Sequence, residues 1–252
     1  MGAPRKNIDK SLLLLALLSL LASCGEFGAP SSPELASKVK RETVWLADNA
    51  TRSKIRIVSL KEFDMNGYAI SSVIYSEKDD SKESSVFTYN DTVSMEDKMY
   101  YSGDGTVTKQ EKFEYVYDAA GRMKISRQID KNGKICHTVQ YDYDTFGNLI
   151  KKKETDYISG ANTSMDITNR YSSGGYLSER IFNEGANVIT RDSLSYTPDK
   201  SSVEVVNINS DGKIELISAY LYDRAGRIRE KRESDADGKI LKTYVYEYEY
   251  YK

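Results

Sequence analysis

The chain has one histidine, His137, and its neighbour Cys136 is one of only two cysteines. Both fall in an alternating segment, residues 135–143, that is predicted to be a strand, so the two side chains point to opposite faces and cannot form a nucleophile–base contact. A catalytic triad or a zinc site also needs more bases or ligands than these two residues supply. We therefore predict no catalytic residue, no metal site and no enzyme. His137 is interpreted as structural and Cys136 as a half-buried strand residue, with a reactive thiol as the alternative.

Acidic residues suggest two other chemistries. Asp142 and Asp144 alternate with tyrosines and could form the carboxylate pair of a glycoside hydrolase, but turn capping and solvation explain them. Residues 233–240 (ESDADGKI) copy the first half of an EF-hand loop, with echoes at 130–133 and 209–212. The twelfth position, which should be a glutamate, is Tyr244, and the flanking segments are predicted strands rather than helices. We interpret all three as hairpin turns and expect no cofactor.

Tyrosine is the residue that recurs with regular spacing, usually followed four positions later by glycine. The best copies are YDAAG, YDTFG and YDRAG, which begin at Tyr117, Tyr143 and Tyr222. Weaker copies at Tyr171 and Tyr196 lack the aspartate, and the latter has Lys200 in place of glycine. Nearly the whole chain is therefore one repeated unit. The register positions are Phe63, Tyr89, Tyr117, Tyr143, Tyr171, Tyr196, Tyr222 and Tyr248, at spacings of 26, 28, 26, 28, 25, 26 and 26.

Each repeat contains two turn signals and two strands. Residues 113–117 alternate with a period of two, which predicts a strand. In the Asp-Ala-Ala-Gly segment that follows, aspartate can cap a turn and glycine accepts positive φ. Asn132-Gly133 then predicts a two-residue type I′ hairpin turn. The same second signal recurs at 104–105, 211–212 and 237–238.

These patterns predict an all-β fold of tandem hairpin repeats of about 26 residues, filling a domain from 39 to 252. About seven repeats would give some 14 strands in a long, curled antiparallel meander, an open or partly rolled sheet. Residues 39–62 are predicted to form a first hairpin that caps the sheet. Tyrosines would share one face, as Tyr244, Tyr246 and Tyr248 do in the last strand. Charges on an outer face would keep the sheet soluble; the examples are Arg227, Arg229, Lys231 and Arg232.

The first residues predict export and membrane attachment. A basic head precedes an apolar run of 11 residues, Leu12 to Ala22, which is too short to span a bilayer, so residues 1–23 are predicted to be a signal peptide. Leu-Ala-Ser-Cys at 21–24 resembles the bacterial lipobox, which implies that Cys24 is lipidated and begins the mature chain. Residues 24–38 are predicted to be the lipidated cysteine and a flexible tether. The expected location is the bacterial cell envelope, at the outer membrane or cell surface if the source is Gram-negative.

The charge balance argues against nucleic acid. Without residues 1–23 the chain keeps 33 of its 36 Lys+Arg and 37 of its 38 Asp+Glu, so its net charge is near −4. It contains no basic block, and a nucleic-acid partner is not expected. Once Cys24 is lipidated, Cys136 has no partner for an internal disulfide.

The segments FEYVYDAAGRMK, VQYDYDTFGNLIKK and AYLYDRAGRIRE resemble the YD repeat of bacterial Rhs and related wall-associated or toxin proteins. Tyr117, Asp118, Gly121 and Arg122 match that motif, and residues 222–227 match it again; Asn148 stands where the third copy would carry arginine. In that family the repeats build β-sheet shells around a toxin, or serve in surface contact and carbohydrate binding. This chain is too short for a closed cage, so the resemblance implies the surface-binding role.

Our leading hypothesis is a non-enzymatic envelope lipoprotein whose repeat sheet binds a glycan or a protein partner. Aromatic rings stack on sugar faces, and most tyrosines would also hold the sheet together. A periplasm-facing lipid carrier or assembly factor, or a spacer without a ligand, are the alternatives. The candidate ligand-binding residues, each two positions before a register tyrosine, are Tyr115, Tyr141, Tyr220 and Tyr246.

Overall fold

A computed structural model describes residues 39–89 and 93–251, so the predicted signal peptide, Cys24 and the tether lie outside the described residues. No helix in the described part of the chain is long and apolar enough to cross a membrane. The strands are β1 (Val39–Ala47), β2 (Lys54–Phe63), β3 (Ala69–Tyr75), β4 (Lys82–Tyr89), β5 (Val93–Tyr101), β6 (Val107–Tyr117), β7 (Met123–Ile129), β8 (Ile135–Tyr143), β9 (Leu149–Asp156), β10 (Asn162–Tyr171), β11 (Leu177–Glu184), β12 (Asn187–Tyr196), β13 (Ser202–Asn209), β14 (Ile214–Tyr222), β15 (Ile228–Ser234) and β16 (Ile240–Tyr250).

All of these strands form one antiparallel sheet that closes on itself. Each strand pairs with the strands before and after it in sequence, and β1 pairs with β16, which makes a closed barrel of 16 strands. The all-β hairpin meander was predicted correctly, but the open or partly rolled sheet of some 14 strands is wrong. Closure is favoured because it pairs the backbone N–H and C=O groups that two free edges would leave exposed.

The hairpin of β1 and β2 does not form the predicted cap. Instead β1 pairs with β16 and closes the barrel, and this β1–β16 ladder is the seam. Thr43 lies opposite Glu247 and Trp45 opposite Val245 in the β1–β16 ladder. The Trp45 indole Nε1 donates a hydrogen bond of 2.8 Å to Glu247 Oε2. Arg41 Nη1 lies 3.3 Å from Glu249 Oε1, so side-chain contacts reinforce the backbone pairing across the seam.

The turn at Asp118 shows why the repeat needs aspartate and glycine. The Gly121 N–H donates to the Asp118 carbonyl, and the Asp118 N–H donates to the Arg122 carbonyl, each at 2.9 Å. Asp118 Oδ1 also accepts the N–H groups of Ala120 and Arg122. Gly121 has a φ of 75°, and a Cβ there would meet nothing within 4 Å. Backbone conformation, not space, therefore selects glycine at this position.

The second turn has the same geometry, so the predicted type I′ hairpin at Asn132-Gly133 is wrong. Gly133 N–H donates to the Asp130 carbonyl at 3.0 Å, and Asp130 N–H donates to the Lys134 carbonyl at 2.8 Å. Of the pair Asn132-Gly133, only Gly133 has a positive φ. The Asp130 carboxylate accepts the Asn132 and Lys134 N–H groups, which favours this longer loop.

Register tyrosines contact the turn of the repeat before them, and two of them donate a hydrogen bond to the residue just after that turn. The Tyr143 hydroxyl donates to the Met123 carbonyl at 2.7 Å, and Tyr248 donates to the Ile228 carbonyl at 2.8 Å. The guanidinium of Arg122 lies over the Tyr143 ring at 5.0 Å and is held by Asp118 at 2.7 Å. The 26-residue spacing thus places every such tyrosine beside the preceding turn.

The up-and-down order sorts the turns into two rims. The YD rim carries the turns that follow the even-numbered strands, together with the start of β1 and the end of β16. The far rim carries the turns that follow the odd-numbered strands. The Tyr251 hydroxyl donates to the Phe63 carbonyl, which ties the end of the chain to the YD rim.

Alternation divides the side chains between an inner face and an outer face. The inner face carries one apolar cluster around Leu194, Val203 and Tyr220 and a second around Ile167 and Phe182. Residues opposite one another in a ladder share a face, so the pairings extend this assignment around the barrel. Lys231 was predicted on the outer face, which is wrong: it lies opposite Tyr220 and Tyr244 on the inner face.

We expect Gly121→Ala to lower the free energy of unfolding by about 1–2 kcal/mol, because an L-residue is disfavoured in the left-handed region. Gly121→Asn should cost clearly less, since asparagine tolerates that conformation. Urea denaturation of both variants measures the difference. Equal losses for alanine and asparagine would show that φ is not the cause.

Closure of the barrel predicts that a disulfide can join residues 200 positions apart in the sequence. Cysteines replacing Trp45 and Val245, in a Cys136→Ser background, should cross-link within one chain because these residues are ladder partners. The control pairs the cysteine at Trp45 with one at Ile217, an outer-face residue of β14. Cross-linking efficiencies are compared by mobility after proteolysis between the two sites. An open sheet would leave the seam pair no more reactive than the control.

Candidate binding site

The four candidate tyrosines all lie on the inner face of the barrel, as two separate pairs. Tyr115 and Tyr141 lie on β6 and β8, with one strand, β7, between them. Tyr220 and Tyr246 lie on β14 and β16, again with one strand, β15, between them. Strands β9 to β13 separate the two pairs along one side of the ring.

Burial limits what these rings can contact. Tyr141 and Tyr220 are each only 7% exposed, so a ligand could stack on them only from inside the barrel. Burial is also the main cause that raises the pKa of all four hydroxyls. The hydroxyls therefore remain protonated and neutral at physiological pH.

The clearest polar site on the inner face is centred on Glu96, which is 4% exposed. Its carboxylate accepts a hydrogen bond from Ser85 Oγ at 2.5 Å and another from the Tyr115 hydroxyl. Lys98 Nζ lies 3.5 Å away. The buried charge is thus neutralised and hydrogen-bonded, as burial of a carboxylate requires.

Lysine and glutamate recur two residues apart along the inner face, which sequence analysis missed. Because i and i+2 share a face of a strand, each pair lines the interior beside tyrosines. The sequence signal that could have revealed these pairs is the occurrence of charged residues at positions that share a strand face with tyrosines. The ion pairs within single strands are Glu96 with Lys98 at 3.5 Å, Lys109 with Glu111 at 2.6 Å, Lys152 with Glu154 at 2.5 Å and Lys231 with Glu233 at 2.6 Å.

Another polar cluster on the inner face consists of Arg180 on β11, Asp192 on β12 and Asn207 on β13. Asp192 and Arg180, 6% and 5% exposed, are ladder partners, and Asn207 Nδ2 donates to Asp192 Oδ1 at 2.9 Å. Burial raises the pKa of the Asp192 carboxyl, while Asn207 and Arg180 oppose the rise. These residues bring charge into the interior beside the Phe182 cluster.

A solvent-facing pocket of about 380 Å³ lies at the far rim, where the turns 76–81 and 102–106 meet. The two turns approach closely, because a Cβ on Gly103 would lie 3.4 Å from the Asp80 Cβ. Arg56 Nη1 donates to the Ser76 carbonyl at 2.9 Å. The walls include Tyr75, Asp80 and Lys82. Within the described residues, the Asp80 carboxylate has no hydrogen-bond partner and remains available to a ligand.

The other side chains considered for chemistry are dispersed. His137 Nε2 lies 3.8 Å from Glu154 Oε2 on the inner face, whereas Cys136 Sγ contacts the Gln128 carbonyl at 3.4 Å. Asp144 caps its own turn, accepting the Phe146 N–H at 2.9 Å, whereas Asp142 is a strand residue that lies opposite Lys151.

The EF-hand-like segments are hairpin turns. Asp235 and Asn209 side chains accept backbone N–H groups of their own turns, as Asp130 does. In residues 39–89 and 93–251, no three His, Cys, Asp or Glu side chains are grouped so as to hold a metal ion.

No protein-family model matches the chain, and no curated protein matches its sequence. Solved structures give more distant similarities. A porin-like protein from Bacteroides vulgatus ATCC 8482 is 14% identical with a TM-score of 0.42, over 64% of this chain and 99% of that one. A porin-like protein from Bacteroides uniformis ATCC 8492 is 9% identical with a TM-score of 0.37, over 87% and 99%. A TcdB2-TccC3-Cdc42 complex is 13% identical with a TM-score of 0.24, over 82% of this chain and 14% of that one. These similarities assign no function.

Two of the candidate tyrosines should differ sharply in how much their hydroxyls contribute to the free energy of unfolding. Tyr115→Phe removes a donor to the buried Glu96 carboxylate, so we expect it to cost about 1.5–3 kcal/mol of unfolding free energy. For Tyr246, no hydrogen bond of the hydroxyl is seen among the described residues, and Tyr246→Phe should be close to neutral. Chemical denaturation compares them. Equal losses would mean that the Glu96 contact is not the stabilising one.

Proposed function

We propose that this protein is a non-enzymatic binding lipoprotein of the bacterial cell envelope. In this proposal the barrel stands in water, a lipid on Cys24 provides the membrane attachment, and the ligand is a glycan. A Gram-negative source would place it at the outer membrane or cell surface.

The observation that carries the proposal is the charge on the outer wall of the barrel. Opposite charges face each other across neighbouring strands, near the middle of the wall as well as at its ends. Asp97, for example, lies between the inner-face residues Glu96 and Lys98 and therefore points outward. Ladder partners that form such pairs are Asp97 with Lys112 at 3.7 Å, Lys151 with Asp166 at 3.1 Å, Arg170 with Glu179 at 2.7 Å, Arg41 with Glu62 at 2.8 Å, and Glu114 with Arg127.

Such a wall suits water rather than lipid. A barrel that spans a membrane presents an apolar band about 25 Å tall, and each Arg or Lys at the bilayer midplane costs about 2–4 kcal/mol. Several charged pairs around the circumference would multiply that cost. Membrane attachment through an acylated Cys24 avoids it, because the barrel itself need not enter the bilayer.

The interior disfavours the alternative of a lipid carrier. An acyl chain needs an apolar cavity, but the inner face holds Glu96, Lys98, Lys152 and Glu154, among others. Placing hydrocarbon against these groups would remove their remaining hydration without compensation.

The glycan part of the proposal fits the far-rim pocket better than the buried tyrosines. Tyr75 offers an aromatic face, Asp80 accepts hydrogen bonds from hydroxyls, and Lys82 and Arg56 donate them. A pocket of about 380 Å³ falls at the small end of the range typical of ligand sites. Tyr115, by contrast, already uses its hydroxyl on Glu96.

Cell fractionation tests the anchor. We expect Cys24→Ser to block lipid labelling and to release the protein into the soluble fraction without detergent, because the outer wall has no affinity for lipid. Cys136→Ser is the matched control and should remain membrane-bound. A Cys24→Ser protein that has lost residues 1–23 and still requires detergent for extraction would indicate a barrel embedded in the membrane.

A glycan array tests the ligand separately. Soluble protein comprising residues 25–252 is screened beside an Asp80→Asn/Lys82→Gln pocket variant and a Tyr115→Phe/Tyr246→Phe interior variant. We expect selective binding that falls at least about tenfold, roughly 1.4 kcal/mol, in the pocket variant and persists in the interior one. Loss only in the interior variant would place the ligand at the tyrosines. No binding by any protein would refute the glycan and leave the anchor result standing.

A further inference from the structure

Topology fixes which end of the barrel is joined to the tether. β1 begins at Val39 on the YD rim, and fourteen residues separate Val39 from Cys24. A fully extended segment of this length reaches about 50 Å at most. This inference rests on the proposed lipid at Cys24. Under that proposal the tether is short enough for the YD rim to reach the bilayer. Any affinity of the rim for lipid must come from the side chains of the rim itself.

Those side chains include large apolar groups at the tips of turns. Met65 is 72% exposed and Phe146 is 75% exposed, in the turns after β2 and β8. Tyr68 is 55% exposed and packs against Tyr89 at 5.1 Å, while Phe146 packs against Tyr171 at 5.0 Å. Each of these two rings packs against a neighbouring ring and still leaves more than half of its surface exposed at the YD rim.

Cations lie among these tips. Lys200 Nζ lies 4.2 Å from the centre of the Tyr176 ring. Arg227 lies over Tyr248 and Tyr250 at 5.1 and 4.9 Å and is also paired with the Asp223 carboxylate at 2.7 Å. Aromatic side chains with a basic group such as Lys200 beside them suit the headgroup region, where rings lie at the boundary and cations meet lipid phosphates.

We propose that the YD rim rests on the lipid surface, with Met65 and Phe146 inserted at the headgroup level. A tethered rim has a high effective concentration at the bilayer, so even a weak affinity orients the barrel. The far rim, with its pocket, then faces away from the membrane toward soluble or neighbouring-cell ligands. The tyrosine–turn repeat thereby builds the base of the protein rather than its recognition surface.

The far rim offers a matched control. Ile158, in the turn after β9, is 83% exposed and equally apolar, but lies at the opposite end of the barrel. Acylated Cys136→Ser protein that begins at Cys24 is labelled with an environment-sensitive fluorophore at either Phe146→Cys or Ile158→Cys. Both are bound to phosphatidylethanolamine/phosphatidylglycerol vesicles that contain lipids spin-labelled near the headgroup.

We expect quenching at position 146 to exceed that at 158 by about threefold or more. A probe at Ala119→Cys, on the same rim, should be quenched likewise and should lose that quenching in a Met65→Ser/Phe146→Ser background. Equal quenching at 146 and 158, or stronger quenching at 158, refutes the orientation. Protein that does not float with the vesicles refutes the anchor itself, so the two failures are distinguishable.

Discussion

Backbone pairing between β1 and β16 is the constraint on which the rest of the structure depends. Once the last strand pairs with the first, every strand has two neighbours and no edge is left. Closure also gives each side chain a fixed side, because alternate residues must point into or out of a ring. The buried Glu96 and the outward Asp97 differ by one position in sequence. The closed ring assigns them opposite environments.

The tyrosines of the repeat connect successive hairpins through side-chain contacts. Tyr143 and Tyr248 bond carbonyls just beyond the preceding turns, and Arg122 and Arg227 cover the two rings. Where Asn148 replaces arginine, Tyr171 contacts the Asp144 carboxylate and Asn148 directly. The partner changes, but the attachment of a ring to the preceding turn persists.

The placement of charged residues on both the inner and the outer face of the barrel links this architecture to the proposed function. Inner-face lysine and glutamate pairs share the interior with tyrosines, and outer-face pairs bridge neighbouring strands. Each outer pair contributes little alone, yet together they make the wall compatible with water. Both rims carry exposed apolar turn tips, Ile158 at the far rim and Met65 and Phe146 at the YD rim. The two ends differ in that the pocket lies at the far rim, whereas β1, which the predicted tether precedes, begins at the YD rim. A barrel of this kind can bind at one end while its other end stays near a membrane.

Local chemistry in the sequence determined the strands, the turn positions and the common tyrosine face, because alternation and the Asp-x-x-Gly pattern act within a few residues. The placement of Tyr115, Tyr141, Tyr220 and Tyr246 on one face followed from that alternation, although whether they bind a ligand remains a prediction. Closure could not be read in this way, because the pairing of Trp45 with Val245 joins segments 200 residues apart. The pocket around Asp80 likewise needs two turns to meet. The local pattern thus determines the alternation of the strands, whereas long-range pairing closes the sheet into a ring, because only the folded chain brings distant edges together.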